Sequence, residues 1–412
     1  MKKKDYIFCL LSNNSNSIKI FNIYKNYIES VINRYGKFVI VDFYRYSQKN
    51  NKKIINEKLL KKKFKNEIHF FYPKNKYEFY DFIRNKQVFA LDSLSRDFKD
   101  FKIRYLINKK NIFIILLANI GNISNEKNGT LDLSLRNKFY SYYKILNKYI
   151  YRILILLDIF PKTFLYFDSR KKIVDKFNNS KFRKMFKKFP KLGFLINYLN
   201  VHRINSNSYE NFIKLKKREK NNKIIFIDGN YEHPDILKKE QLDLHKVKIE
   251  YFKLLSKKFT ILEKIFKKKI EICLHPSSDL KVYKKNLQKF RISKGKTIEK
   301  VYDSYMIIFH ESSAVMDALI AKKKILILET NILGNYLLNK MLMYKNLIKL
   351  PSIDMHSTKI LSKKDFLNEY SKTKKHRDQY IKDNLIYHNN ELPSITFMNV
   401  INNLIKKNQR VS

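Results

Sequence analysis

The chain has 412 residues, with 86 Lys or Arg against 37 Asp or Glu, a formal net charge of +49. Hydrophobic residues make up 44% and aromatics 14%, which excludes a largely disordered chain; the length exceeds what one core usually organises, so two domains are expected. Cys9 and Cys273 are the only cysteines. Both sit in strand-like runs and read as buried thiols of a reducing cytoplasm, which excludes a disulfide framework and a Cys-based metal site.

The charge has two readings. It suits a polyanion partner or an anionic membrane face. It also suits an AT-rich coding bias, because Lys, Asn and Ile are abundant from end to end. Under either reading, anionic substrates and inner-leaflet lipids are drawn electrostatically. The start, Met1-Lys2-Lys3-Lys4-Asp5, enters a short strand and lacks the apolar core of a signal peptide. The best membrane candidate, Ile153 to Phe160, is short, follows Arg152 and contains Asp158. A span needs roughly 20 apolar residues. The expectation is a cytoplasmic protein whose membrane association is peripheral, at the anionic inner membrane.

In chain order, Tyr6 to Leu11 reads as a strand, Ser17 to Tyr35 as a helix, and Lys37 to Phe43 as a second strand. Glu67 to Tyr72, Gln87 to Leu91 and Asn111 to Ile120 are further strands, the last ending at Gly121. Leu131 to Phe160 reads as a long helix and Thr163 to Phe167 as a strand. This βα alternation suits a doubly wound domain. From Arg170 to Asn222 the chain is dense in Lys, Arg, Asn and Ser with little sustained periodicity, and a domain boundary is placed near Asn205 to Asn222.

Strand Lys223 to Ile227 then leads to Asp228-Gly229, and Gln241 to Phe266 reads as a helix. Strand Ile270 to Leu274 leads to His275-Pro276. A short helix, a loop near Lys294-Gly295-Lys296 and a helix Thr297 to Asp303 follow. Strand Met306 to Phe309 leads to Glu311-Ser312-Ser313 and a helix Ala314 to Ala321, and strand Ile325 to Leu328 ends at Glu329-Thr330. Lys364 to Lys407 is mostly helical and polar. The resulting division is 1–210, 211–365 and a C-terminal helical segment 366–412. No internal repeat, P-loop or dinucleotide fingerprint is visible.

Three loops carry the candidate chemistry. In a parallel sheet they open on one edge, where ligands bind. Ser312 and Ser313 precede a helix, so they offer an anion site for a nucleotide phosphate or serve as an ordinary N-cap. His275, followed by Pro276, can donate to a phosphate oxygen or protonate a leaving group, or it is a structural histidine at a strand end. Asp228 can take the proton of an attacking hydroxyl, with Gly229 letting the acceptor approach, or it is a turn carboxylate. Glu232 and His233 follow closely enough to share that role or bind the acceptor; their spacing matches no metal-ligand pattern. Lys296 could contact a sugar carboxylate or phosphate, or belong to a solvated loop. Together the loops suit a sugar-phosphate leaving group and an attacking hydroxyl, the chemistry of glycosyl transfer.

With these loops in place, the second half resembles bacterial surface-carbohydrate biosynthesis proteins and GT-B glycosyltransferases. The resemblance is carried by strand-His275-Pro276, Gly295-Lys296-Thr297 leading a helix, Ser312-Ser313-Ala314-Val315 with Asp317-Ala318-Leu319, and Lys324-Ile325-Leu326-Ile327. The order Asp-Gly, His-Pro, Ser-Ser also resembles bacterial sialyltransferases and polysialyltransferases, although Ile227 stands where that family usually places a second acidic residue. The resemblance covers about residues 222 to 350. It implies Asp228 as base, His275 at the donor phosphate, and Ser312 and Ser313, with Glu311 and Pro276 beside them, at the nucleotide.

The expected architecture is α/β and GT-B-like, with two Rossmann-like domains facing across a cleft and the C-terminal helices packing back on the first. The expected reaction is metal-independent sugar transfer, without a cofactor, from a nucleotide donor to a bacterial surface glycan or lipid-linked glycan, as in capsule or lipopolysaccharide assembly. A CMP-linked nonulosonic acid is the favoured donor. A sugar-nucleotide epimerase, a CDP-polyol phosphotransferase and a non-catalytic polyanion-binding protein are the alternatives; no specific nucleic-acid signature is present.

Overall fold

The computed structural model describes residues 5–13, 17–46, 64, 67–94, 100–118, 146–147, 149–179, 198–215, 223–229, 244–357, 362–388 and 390–411. The chain consists of two parallel-sheet α/β units. The first comprises Met1–Asn119, Ser124–Ile204 and Glu391–Ser412, and the second Ile120–Ile123 with Asn205–Asn390.

The first unit runs β1 (Asp5–Ser12), α1 (Ser17–Tyr35), β2 (Phe38–Asp42), β3 (Ile68–Phe71), α2 (Lys76–Ile83), β4 (Lys86–Asp92), α3 (Phe101–Leu106), β5 (Ile112–Ala118), β6 (Thr163–Asp168), α4 (Lys171–Asn178) and β7 (Tyr198–Arg203). Its seven strands lie in the order β3-β2-β1-β4-β5-β6-β7, all parallel. Strands covered on both faces need apolar residues at every position, not alternate ones, and Phe38 to Asp42 is buried throughout. At the end of β4, Asp92 meets Arg104 of α3 at 2.8 Å, both fully buried, and Arg104 also donates to the Leu94 carbonyl. Asp42, closing β2, is pushed up to about 7 by burial, against a hydrogen bond from the Tyr44 amide.

The second unit runs α5 (Asn207–Leu215), β8 (Lys223–Ile227), α6 (Leu244–Phe266), β9 (Ile270–Leu274), α7 (Leu280–Asn286), β10 (Arg291–Lys294), α8 (Thr297–Asp303), β11 (Ser304–Phe309), α9 (Val315–Ile320), β12 (Lys324–Glu329), α10 (Asn335–Ile348), β13 (Ser352–Asp354), α11 (Lys363–Lys372) and α12 (Lys374–Asn384). Its sheet order is β10-β9-β8-β11-β12-β13, again all parallel. The sheet is built outward from β8 in one direction and from β11 in the other, so the order reverses between these two strands. That reversal is where doubly wound folds open a ligand crevice. Helix α6 covers one face with Tyr251, Phe252, Leu255, Phe259, Leu262 and Phe266, spaced three, four or one apart as a helix stripe requires, all buried. Full burial of such side chains stabilises by roughly 1.5–3 kcal/mol each.

The segment 366–412 does not form one body. Helices α11 and α12 belong to the second unit, and α13 (Pro393–Val411) belongs to the first. Phe397 on α13 packs edge-on to Tyr27 at 5.2 Å and against Phe167 at 5.4 Å, and the Tyr35 hydroxyl donates to Asn402 Oδ1 at 2.6 Å. The interval 170–222 holds α4, β7 and α5, elements its polar composition hides. The stretch before Gly295, read as loop, is the edge strand β10. Of the long helix placed at Leu131 to Phe160, residues 131–145 lie outside the described residues.

Candidate functional site

The registers of the second sheet align its strand ends. Ile227 pairs with Cys273, and Phe309 pairs with Ile227. Asp228, His275 and His310 with the loop after it therefore emerge from one edge, at the reversal point. Between them lies a cavity of about 200 Å³, lined among others by Asp228, His275, Pro276, Ser312, Ser313 and Asp317, with Cys273 and Thr297 closing one side. Of the residues singled out from the sequence, Asp228, His275, Pro276, Ser312 and Ser313 meet here.

Asp228 is buried beneath the His275 loop. Its Oδ2 accepts the Ser278 hydroxyl at 2.5 Å and the His275 amide at 3.3 Å, and its Oδ1 accepts the Tyr283 hydroxyl at 2.8 Å. The carboxylate thus ties together the end of β8, the loop after β9 and helix α7. Helix α7 is started by Asp279, whose side chain accepts the Lys281 amide at 2.8 Å.

His275 is exposed, and its Nδ1 accepts the Ser277 amide at 3.2 Å with the Ser277 hydroxyl 2.6 Å away. An amide N–H can only donate, so Nδ1 is the acceptor and the neutral ring carries its proton on Nε2. The Lys294 ammonium donates to the Ser278 carbonyl at 2.8 Å, which adds a positive charge beside the loop.

On the facing side, the Ser312 hydroxyl accepts the Ala314 amide at 3.2 Å, and its carbonyl accepts the Tyr344 hydroxyl of α10 at 3.3 Å. The helix after the loop, α9, is only six residues long. Glu311 turns away from the cavity to Lys340 of α10 at 3.0 Å. Burial depresses the Lys340 ammonium, but Glu311 outweighs it and holds its pKa above the usual lysine range.

Gly229 serves packing. A Cβ there would stand 2.7 Å from the Glu311 carbonyl oxygen, so only glycine lets the end of β8 pass the loop after β11. Lys296 is exposed and does not line the cavity. It follows Gly295 in a turn through two left-handed residues, φ 80° and 55°, that converts β10 into α8. Glu232 and His233 lie outside the described residues. Among the described residues no cluster of three His, Cys, Asp or Glu side chains suits a metal ion, and no helix is long and apolar enough to cross a membrane.

Two side chains in or beside the site had no role assigned from the sequence: Asp317, named only within the Asp317-Ala318-Leu319 stretch, and His310. Asp317, on α9, lines the cavity and is buried; its oxygens accept Ser208 Oγ at 3.1 Å and Asn211 Nδ2 at 3.0 Å, both from α5. Burial pushes it up to about 6, against those two hydrogen bonds. His310 lies just before the serine loop. Burial pushes it down to about 4, its Nδ1 is 2.5 Å from the Leu328 carbonyl, and its Nε2 is 3.1 Å from the Tyr251 hydroxyl. The neutral ring therefore donates from Nδ1, accepts at Nε2, and fixes β11 to β12. The partners of both residues are more than ten positions away, which is why the sequence assigned neither a role.

The sequence matches no family model and no curated protein. Among solved structures, the chain is similar to the wall teichoic acid polymerase TagF, at 12% identity and TM-score 0.48 over 98% of this chain and 90% of that one. It is similar to a protein provisionally named UDP-N-acetylglucosamine 2-epimerase from Listeria monocytogenes, at 10% identity and TM-score 0.45 over 96% and 94%. It is also similar to UGT71G1 of Medicago truncatula complexed with UDP-glucose, at 8% identity and TM-score 0.45 over 97% and 98%.

Proposed function

We propose that the chain is a glycosyltransferase of the GT-B type and that the second unit holds the phosphate of a nucleotide-sugar donor. The observation that carries this reading is the cavity at the sheet's reversal point, where the His275-Pro276 and Ser312-Ser313 loops meet. Its volume of about 200 Å³ falls below the roughly 300–1,000 Å³ of pockets that enclose whole ligands. It suits the phosphate portion, with the rest of the donor outside. Ser312 and Ser313 supply hydroxyl and amide donors to the phosphate, and Nε2–H of His275 donates to the oxygen that departs with the nucleotide. Two carboxylates also line the cavity. Asp228 has both oxygens taken up by three neutral donors, and protonation of Asp317 below about pH 6 removes that residue's charge.

We assign Asp228 to positioning. Both of its oxygens are engaged, so taking a proton from an acceptor hydroxyl would require breaking a bond to Ser278 or Tyr283. The motif order favours a CMP-linked nonulosonic acid as donor and a bacterial surface glycan as acceptor. The test is transfer from CMP-, UDP- and CDP-linked donors together with nucleotide affinity. If Asp228 positions the loop, D228N weakens nucleotide binding and transfer together. If it is the base, D228N abolishes transfer and leaves nucleotide affinity intact.

A further inference from the structure

Three runs of lysine, Lys267-Lys268-Lys269, Lys322-Lys323-Lys324 and Lys363-Lys364, lie apart in sequence. The first run precedes β9, the second enters β12, and the third opens α11. Because β9 and β12 run parallel in one sheet, the loops before them share an edge, opposite the edge that carries the cavity. The side chains converge there. Lys268 Nζ lies 4.8 Å and Lys324 Nζ 4.3 Å from the centroid of the Tyr305 ring on β11. Phe266 packs between Tyr305, at 6.5 Å, and Phe366, at 5.4 Å, which brings the first turn of α11 to the same place. Burial first, then the charges of Lys363 and Lys268, depress the Lys324 ammonium, as like charges gathered in one place must.

Two acids of this region are already engaged. Glu263 meets Lys269 at 3.5 Å, and Asp365 accepts the Ser362 hydroxyl at 2.6 Å. Lys267, Lys322, Lys363 and Lys364 are exposed. We infer that this lysine edge of the second unit docks on a bilayer surface carrying anionic phospholipid.

The chemistry favours lipid phosphate over nucleic acid. Base recognition leans on the arginine fork and on open aromatic faces for stacking. These three runs contain no arginine, and two ammonium groups occupy the Tyr305 ring. Lysines near an anionic leaflet act as additive point charges, each strengthening attachment about fivefold. Docking through this edge leaves the cavity edge facing away from the bilayer and open to soluble nucleotide. The inference stands whether or not the proposed function does.

The test is co-sedimentation of the full chain with vesicles of phosphatidylcholine, with and without phosphatidylglycerol. The variant K322Q/K363Q/K364Q removes three exposed charges at this edge. K281Q/K284Q/K285Q removes three exposed charges from α7, which starts from the loop at the cavity edge. The expected result is binding that requires phosphatidylglycerol, falls about a hundredfold in the first variant and is unchanged in the second. Equal losses in both variants would assign attachment to the whole-chain charge and overturn the inference. So would no loss in either, equal binding to neutral vesicles, or tighter binding of RNA through the same lysines.

Discussion

The Tyr283 hydroxyl donates to Asp228 at 2.8 Å across 55 positions of sequence, tying helix α7 to the end of β8. Between them lies the loop that presents His275. Removing this donor leaves a buried carboxylate oxygen short of a partner, which costs about 1.5–3 kcal/mol for a charged group. Y283F should therefore lower the melting temperature by several degrees and weaken nucleotide binding, read by thermal denaturation and calorimetric titration. An unshifted melting temperature would detach the loop from Asp228.

Gly229 links the same strand end to the facing loop. In G229A the new methyl would meet the Glu311 carbonyl at 2.7 Å, and that oxygen belongs to backbone, which cannot swing aside. Overpacking of this kind costs about 1–3 kcal/mol. The displaced segment leads directly into Ser312, so G229A should reduce nucleotide affinity as well as stability. A variant with wild-type affinity would show that the Ser312 loop yields without consequence.

Stability should depend on pH through two buried groups of opposite sign. Asp317 is raised to about 6 from an unfolded value near 3.9. Its contribution is complete below about pH 4 and is lost as pH rises through about 6. His310 is lowered to about 4 from an unfolded value near 6.5. Its contribution is present above that value and is lost as pH falls toward 4. Denaturant unfolding from pH 4 to 7 should show D317N gaining stability relative to the parent as pH rises, by roughly 3 kcal/mol in all. H310Q should move in the opposite sense. Parallel curves for D317N and the parent would mean that Asp317 is ionised at no cost.

In the first unit, Arg104 is 1% exposed beside Asp92. D92A strands that guanidinium without its carboxylate and should destabilise by about 3–5 kcal/mol, read by urea denaturation. Replacing both residues by apolar ones of matching size should recover most of the loss.

The strands β8, β9, β11 and β12 were legible in the sequence because a sheet buried on both faces demands unbroken apolar runs, such as Ile270 to Leu274. The loops after β8, β9 and β11 were legible because Asp-Gly, His-Pro and Ser-Ser interrupt those runs sharply. Strand β10 was not legible, since Arg291 to Lys294 is a short, half-exposed edge strand with a single apolar residue, Ile292. Strand β7 and helices α4 and α5 were lost in a stretch whose lysine and asparagine content resembles a linker. That C-terminal helices pack back on the first domain was expected, but which residues α13 meets could not be read locally: its partners Tyr27, Tyr35 and Phe167 lie more than 200 positions earlier. Within the site, residue identities marked the loops, but only the fold revealed that Asp228 is engaged by Ser278 and Tyr283, and that Asp317 lines the same cavity.

The measurement closest to the central claim is a thermal-shift titration of the purified chain with CMP, CDP, UDP and GDP, repeated on H275A and on the double variant S312A/S313A. A nucleotide at about a hundred times its dissociation constant stabilises by roughly 2.7 kcal/mol, a shift of several degrees. The account predicts stabilisation by one nucleotide, CMP before the others, weakened in H275A and lost in S312A/S313A. Stabilisation that survives in both variants would place the nucleotide elsewhere, and no stabilisation by any nucleotide would contradict the account.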